Sequence, residues 1–200
     1  MSTEDLDKDT DHEAGDEEST YKPPPEKSLT EIVKADEDDE SLRKYKETLL
    51  GNAAKDVVIV DANNPKRVIV KTLALLVEGR DDIIIDLTGD LSELKKTVFR
   101  VKEGIQYRVR IDFYVQKEIV TGLKYKQKIH KHGLKVEQIT LMVGSYGPKH
   151  ELQSYTSPLE EMPSGMLARG TYVVKSLFTD DDNNEWLKWS WQLEVKKDWE

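Results

Sequence analysis

The chain has 200 residues, no cysteine and a formal net charge of −9 at pH 7. Without cysteine no disulfide can hold the fold, and we expect a protein of a reducing, cytoplasmic compartment. The sequence has no run of about 18 apolar residues. Its acidic first residues also lack the apolar core of a signal peptide. Neither a membrane-spanning protein nor a signal peptide is therefore expected.

Charge and aromatic content divide the chain into two parts. Residues 1–50 contain 17 acidic and 7 basic side chains, whereas residues 51–200 contain 22 acidic and 23 basic side chains. Thirteen of the fifteen aromatic residues lie after residue 50. A segment with high charge and few large apolar groups cannot offset the entropy that it loses on ordering. We predict an acidic, largely disordered arm over residues 1–60 and a globular domain over residues 61–200.

Two short helices are predicted within the arm. Ser28 and Glu31 have capping-box spacing in SLTE, and DEDDESLRKYKETLLG starts with acidic residues and ends at a glycine. Leu42, Tyr45 and Leu49 would share one face of the second helix. Helices of this length are marginal in water. They either dock on the domain of the same chain or order on binding another protein.

Short strands dominate the chain after Arg67. In YRVRIDFYV the apolar side chains of Tyr107, Val109 and Ile111 alternate with charged ones, which is typical of a strand with one buried face. TGLKYKQKI and WSWQLEV repeat this alternation, and DLTGDL, YGP and DDDNN indicate turns. Seven to nine strands without a long helical pattern predict an all-β protein, an antiparallel β-sandwich.

All four tryptophans lie in the last fifteen residues, and Trp189 and Trp191 share the apolar face of the last predicted strand. Aromatic side chains on such a face usually fill a core. Two indoles pack poorly against each other in a thin core, however. The alternative is that they line a deep apolar slot between two sheets.

No catalytic motif is found, so an enzyme is not expected. The chain has no cysteine nucleophile, no glycine-rich phosphate loop and no paired-histidine zinc motif. HKH at 130–132 and the carboxylates Asp180–Asp182 are weak metal candidates, because neither has the spacing of a ligand set. A basic face is predicted around KYKQKIHKHGLK. It lacks interleaved aromatic residues, which argues against nucleic-acid binding. Its residues are Lys124, Lys126, Lys128, Lys131 and Lys135.

Eight segments of the chain resemble the Rho GDP-dissociation inhibitor family, in the family's order and over residues 21–200. They are YKPPPEKSL, DDESLRKYKETLLG, DLTGDL, KEGIQYRVRIDFYVQKEIVTGLKY, MVGSYGP, GMLARGTY, FTDDD and WSWQLEVKKDW. The resemblance implies an immunoglobulin-like sandwich without enzymatic activity, cofactor or metal. It also implies a monomer that binds prenylated Rho-family GTPases, slows GDP release and removes them from membranes. The arm helices would clamp the GTPase switch regions.

The resemblance also implies three groups of site residues. The switch-binding group is Asp39, Ser41, Leu42, Tyr45, Leu49 and Leu50. The slot for the geranylgeranyl group is Leu75, Phe99, Tyr107, Ile119, Leu141, Val174, Trp189 and Trp191. The acidic positions facing the basic tail of the GTPase are Glu160, Glu161, Asp181 and Asp182.

Three departures from the family pattern bear on partner preference. Leu141 stands where many members have tyrosine, LVEGRDDIII replaces a connection rich in proline and glycine, and KIHKHG is more basic than usual. Two other functions remain open. One is a general shuttle for prenyl tails, which would not need the second arm helix. The other is a calcium-dependent membrane-binding sandwich that uses Asp180–Asp182.

Overall fold

The computed structural model describes residues 39–50 and 57–199. The helix predicted around Ser28 and the disorder predicted for the first part of the arm lie outside these residues. The second predicted helix is present as α1, Glu40–Leu50. The described part of the chain has no helix that is long and apolar enough to cross a membrane.

Asp39 begins α1 as an N-cap residue. Its Oδ1 atom accepts hydrogen bonds from the backbone N–H groups of Ser41 at 2.9 Å and Leu42 at 3.1 Å. These two donors would otherwise have no partner in the first turn. On the helix surface Leu42 is 42% exposed and Tyr45 is 52% exposed.

The described part of the domain contains ten strands and one 3-10 helix. The 3-10 helix is Glu93–Lys95. The strands are β1 Val68–Val77, β2 Ile83–Asp86, β3 Val98–Lys102, β4 Gln106–Val115, β5 Val120–Lys131, β6 Leu134–Tyr146, β7 Gln153–Thr156, β8 Glu160–Glu161, β9 Gly170–Thr179 and β10 Glu185–Lys196.

The strands form two five-stranded sheets. The first has the order β2-β1-β4-β7, with β8 paired to the start of β4. The second has the order β3-β10-β9-β5-β6. Every described pair is antiparallel except β3 with β10, which is parallel. The predicted immunoglobulin-like β-sandwich is confirmed, with this one parallel pair and with ten strands where seven to nine were expected.

The core lies between the sheets and follows the predicted alternation. Ile111 and Phe113 of β4 and Tyr125 of β5 are fully buried, as is Phe178 of β9. On β10 the four apolar positions of WSWQLEV are all buried. Burial of a large apolar side chain stabilises a fold by about 1.5–3 kcal/mol, so this face anchors the second sheet.

Gln116 holds the chain that enters the domain. Its buried side chain accepts hydrogen bonds from the backbone N–H groups of Val60 and Asp61, and donates to the carbonyl oxygens of Asn64 and Lys66. These hydrogen bonds fix the segment from Val60 to Lys66 against the end of β4.

Candidate functional site

A cavity of about 430 Å³ lies between the two sheets at one end of the sandwich. One wall comes from β4, β8 and the two residues after β8, and the other from β5, β6, β9 and β10. Its apolar lining is Ile129, Val136, Ile139, Met162, Pro163, Leu193 and Val195. Its polar lining is Tyr107, Glu137, Glu160, Glu161 and Tyr172.

Tyr107 and Glu160 form a hydrogen-bonded pair at this cavity. β8 pairs with the first residues of β4, which places Glu160 opposite Tyr107. The phenol hydroxyl of Tyr107 donates to Glu160 Oε2 at 2.9 Å. Burial and the neighbouring Glu160 carboxylate raise the pKa of Tyr107 well above its usual range. Tyr107 therefore stays neutral and fixes the carboxylate at the cavity lining.

The loop after β8 is tied to the β3–β4 turn by an ion pair. Both oxygens of Glu103 accept hydrogen bonds from the guanidinium of Arg169, at 2.7 and 2.8 Å, and Oε2 also accepts the N–H of Gly165. The hydrogen bonds from Arg169 hold the pKa of Glu103 below its usual range. From β5, Lys131 donates to the carbonyl oxygens of Leu167 and Arg169, at 2.7 Å each. These contacts hold the loop that follows Met162 and Pro163 against β5 and the β3–β4 turn.

The two indoles of β10 lie deeper in the core and contact different rings. Trp189 stacks on Tyr125, with centroids 5.7 Å apart and an interplanar angle of 9°. Trp191 meets Phe99 edge to face at 6.1 Å. Both indoles are buried, and the side chain of Leu193, next on this face, lines the cavity.

A buried hydrogen-bond network runs beside the indoles. The hydroxyl groups of Tyr125 and Ser176 are 2.9 Å apart, and Ser176 also accepts from Trp191 Nε1 at 3.1 Å. Gln127 donates to the Tyr125 oxygen at 2.8 Å. Burial raises the pKa of Tyr125 to about 12. The indole nitrogen of Trp189, in contrast, is buried without an acceptor among the described residues.

The residues predicted for the slot occupy three kinds of position. Leu75, Val174, Trp189 and Trp191 are buried in the core, and Phe99, Tyr107 and Leu141 pack against it. Tyr107 alone among the predicted slot residues also lines the cavity. Ile119 is half-buried just before β5, whose cavity residue is Ile129, ten positions along the chain.

The four predicted acidic positions form two groups at opposite ends of the sandwich. Glu160 and Glu161 line the cavity near Tyr172, which is close to the start of β9. Asp181 and Asp182 follow the end of β9, roughly 30 Å away for ten residues at about 3.3 Å each. Asp181 Oδ1 also lies 2.6 Å from Lys124 Nζ.

Asp180 has a structural role in the loop between β9 and β10. Its carboxylate accepts four hydrogen bonds, from the backbone N–H groups of Asp182 and Asn184 and from the side chains of Asn184 and Trp186. Both oxygens are thus occupied by protein donors. No group of three candidate metal ligands occurs within the described residues. The calcium alternative therefore finds no support in this loop.

Most of the cavity lining was absent from the predicted site. Ile139, Met162, Leu193 and Val195 are not among the predicted site residues, although Leu193 and Val195 occupy the last two apolar positions of WSWQLEV. The alternation of LKVEQITLMV places Val136 and Ile139 on different faces of an ideal strand, so no single face of β6 indicated a cavity. The open volume depends on side chains from both sheets, and a local pattern does not carry that information.

The fold and this cavity define an immunoglobulin-like β-sandwich with a mainly apolar cavity between its sheets. Residues 6–198 match the family model described as RHO protein GDP dissociation inhibitor. The chain belongs to the Rho GDP-dissociation inhibitor family.

Named relatives cover most of the chain. It is 49% identical to human Rho GDP-dissociation inhibitor 1 over 179 residues, which are 90% of this chain and 86% of the relative. It is 46% identical to a probable rho GDP-dissociation inhibitor of Caenorhabditis elegans, over 94% of this chain and 100% of the relative. It is also 46% identical to Rho GDP-dissociation inhibitor 3 of Bos taurus, over 90% and 79%.

Proposed function

We propose that the protein is a Rho GDP-dissociation inhibitor that binds prenylated Rho-family GTPases, slows their release of GDP and extracts them from membranes. It acts as a monomer in the cytoplasm, by binding alone, without a cofactor or enzymatic chemistry. In a chain of this family, the observation that carries the proposal is the apolar cavity between the two sheets. This cavity is the entrance for the geranylgeranyl group.

The size and lining of the cavity suit the end of a prenyl tail. Its volume of about 430 Å³ falls within the ~300–1,000 Å³ that is typical of small-ligand sites. A twenty-carbon tail that leaves water for an apolar site gains on the order of 10 kcal/mol, at about 0.8 kcal/mol per CH₂ group. The full tail needs room beyond the cavity, toward Trp191 and Phe99.

Burial of the tail does not by itself explain extraction, because the bilayer interior is equally apolar. The free-energy difference between slot and membrane must come from contacts that exist only in the complex. Glu160 and Glu161 at the cavity replace anionic lipids as partners of the basic GTPase tail, for which each Lys or Arg contributes ~1 kcal/mol at a membrane. Asp181 and Asp182, at the other end of β9, contact a different part of the GTPase.

The arm supplies the second set of contacts. Leu42 and Tyr45 are about half exposed on α1 and are available to a partner surface. Asp39 uses Oδ1 for its cap, so Oδ2 is left for a donor on the switch regions. Ser41, Leu49 and Leu50 complete the proposed switch contacts. If these contacts hold the switches in their nucleotide-closed conformation, GDP release slows.

A matched pair of isoleucine variants tests the cavity. Ile139→Asp places a carboxylate on the half-buried lining of the cavity, where a charged group disfavours contact with an apolar tail. Ile84→Asp makes the same change at a position that is 55% exposed on β2, away from the cavity. We expect the affinity for a fluorescent geranylgeranylated peptide to fall at least tenfold in the first variant and to be unchanged in the second.

Circular dichroism of both variants must match the parent chain. Equal affinity of both variants for the peptide would overturn the assignment of the cavity. A chain that binds the prenylated peptide, but neither binds unprenylated GTPase nor slows its release of GDP, would be a general prenyl-tail shuttle.

A further inference from the structure

The outer face of the second sheet is strongly basic. The register of β5, β9 and β10 places outward-facing residues side by side, with Lys126 beside Leu177, Lys128 beside Lys175, and Leu177 beside Lys188. Together with the outward residues at the ends of β5 and β6, this surface forms what we call the lysine face. Its lysines are Lys124, Lys126, Lys128, Lys135, Lys175 and Lys188. Lys131, which the sequence had grouped with them, points inward and donates to the loop after β8.

Little within the described domain neutralises this face. Asp181 pairs with Lys124. Lys126, Lys128 and Lys188 form no ion pair with any described residue. Lys128 stands directly opposite Lys175 across β5 and β9, so two lysines are neighbours at the centre of the face. Lys126, Lys128 and Lys188 therefore carry positive charge that no carboxylate of the described domain pairs with.

The shape and chemistry of the lysine face favour a lipid surface. It is the broad side of a sheet, and its exposed apolar groups are aliphatic or thioether: Val173 is 38% exposed and Met142 is 58% exposed. The cross-strand positions of the face include no aromatic residue on which a nucleic-acid base would stack. Lysines attract the anionic headgroups of a membrane, while short apolar side chains between them reach the boundary of the acyl chains.

We propose that the lysine face docks the protein on an anionic phospholipid bilayer. The same strands contribute to the cavity on their other side, since Ile129 of β5 and Ile139 of β6 line it. Docking through this face therefore brings the strands of the proposed prenyl entrance to the membrane surface. The interaction needs no GTPase, so it is independent of the proposed function.

Vesicle sedimentation with the full chain alone tests this proposal. The probes are vesicles of phosphatidylcholine and vesicles of phosphatidylcholine with phosphatidylserine, at low and at physiological salt. We expect binding to the vesicles that contain phosphatidylserine, weaker at the higher salt because of screening. Lys126→Gln combined with Lys128→Gln should lower the partition coefficient about ten- to thirtyfold.

The control is Lys71→Gln combined with Lys149→Gln, which removes the same charge away from the lysine face. It should bind as the parent chain does, and all chains should bind a geranylgeranylated peptide equally in solution. If the parent chain binds the anionic vesicles but not the geranylgeranylated peptide, the docking proposal stands and the proposed function is wrong. The docking proposal is overturned if the parent chain does not bind the anionic vesicles, if both double variants lose binding equally, or if the face binds a single-stranded oligonucleotide and not the vesicles.

Discussion

The hydroxyl of Tyr107 donates a 2.9 Å hydrogen bond to Oε2 of Glu160 and so holds a carboxylate at the lining of the cavity. Two predictions of different kinds follow for Glu160→Gln. The first is spectroscopic: the pKa of Tyr107 should fall toward its usual value, because the Glu160 charge is one of the causes that raise it. Burial persists, so the fall should be partial. An ultraviolet titration of the phenols against Tyr107→Phe measures it.

The second consequence concerns the basic tail of the GTPase. Glu160→Gln should weaken binding of a prenylated peptide with lysine-rich flanks by up to about fivefold at low salt, the range for exposed charge pairs. A peptide with neutral flanks should bind unchanged. Glu151→Gln, which removes an exposed carboxylate outside the cavity, is the control. Equal loss for both peptides would mean that Glu160 supports the wall and does not select charge.

Asp39→Asn should separate inhibition of GDP release from lipid binding. Asparagine can keep the cap to Ser41 and Leu42, so α1 stays intact, but it loses the charge offered to the switch regions. A charge-assisted hydrogen bond contributes about 1.5–3 kcal/mol, so at least tenfold more inhibitor should be needed to slow release of fluorescent GDP. Prenyl-peptide affinity should not change. If the variant inhibits GDP release as well as the parent chain does, Asp39 acts only as the N-cap of α1.

Asp112 should make stability depend on pH in the acid range. It is buried on the outer side of the first sheet, and accepts hydrogen bonds from Thr72 at 2.7 Å and Ser154 at 2.5 Å. Burial opposes its ionisation, yet these bonds and Arg110 hold its pKa below the usual value near 4. Its stabilising contribution is therefore present above about pH 4 and is lost as the pH falls through the lowered pKa.

The corresponding variant is Asp112→Asn. At neutral pH it should lower the free energy of unfolding by about 1–2 kcal/mol, because the hydroxyls of Thr72 and Ser154 lose an ionised acceptor. Urea unfolding at several pH values should show a shallower decline below pH 4 than in the parent chain. An unchanged acid slope would show that other carboxylates control it.

Gly122→Ala should disturb the loop that carries Asp181. Gly122 has φ +61°, and an added Cβ would lie 1.7 Å from Asp181 Oδ2, so the Asp181 carboxylate must move and its ion pair with Lys124 is disturbed. Gly133→Ala, at φ +81° with open space around it, isolates the backbone strain of about 1 kcal/mol. We expect Gly122→Ala to cost about 1 kcal/mol more in thermal or urea unfolding. Equal costs would show that Asp181 moves freely.

Ser176→Ala should destabilise the core beside the indoles. Ser176 accepts from Trp191 Nε1 and bonds to the Tyr125 hydroxyl, and alanine removes both of these buried hydrogen bonds. A buried unsatisfied group costs about 1–3 kcal/mol. Ser190→Ala, on the opposite face of β10, is the control and should change the free energy of unfolding little. If prenyl affinity also falls in Ser176→Ala, the network supports the slot.

Local patterns in the sequence were sufficient for the strands and for one helix. The alternation around Trp189 and Trp191 predicted a buried face on β10, because side chains alternate along any strand regardless of its neighbours. The acidic start and terminal glycine predicted α1 for a similarly local reason, since caps act within one turn. These patterns and the family motifs were enough to indicate the sandwich and the family.

Only the tertiary structure decided where the space between the sheets lies. The cavity is set by side chains from six strands and the segment after β8, and whether they fill a gap depends on packing between residues distant in sequence. The pairing of the sheets also placed Glu160 and Asp181 at opposite ends of β9, and lined up lysines from β5, β9 and β10 on one face. Which residues become neighbours across a sheet depends on the strand register, and the register is fixed only when the strands pair.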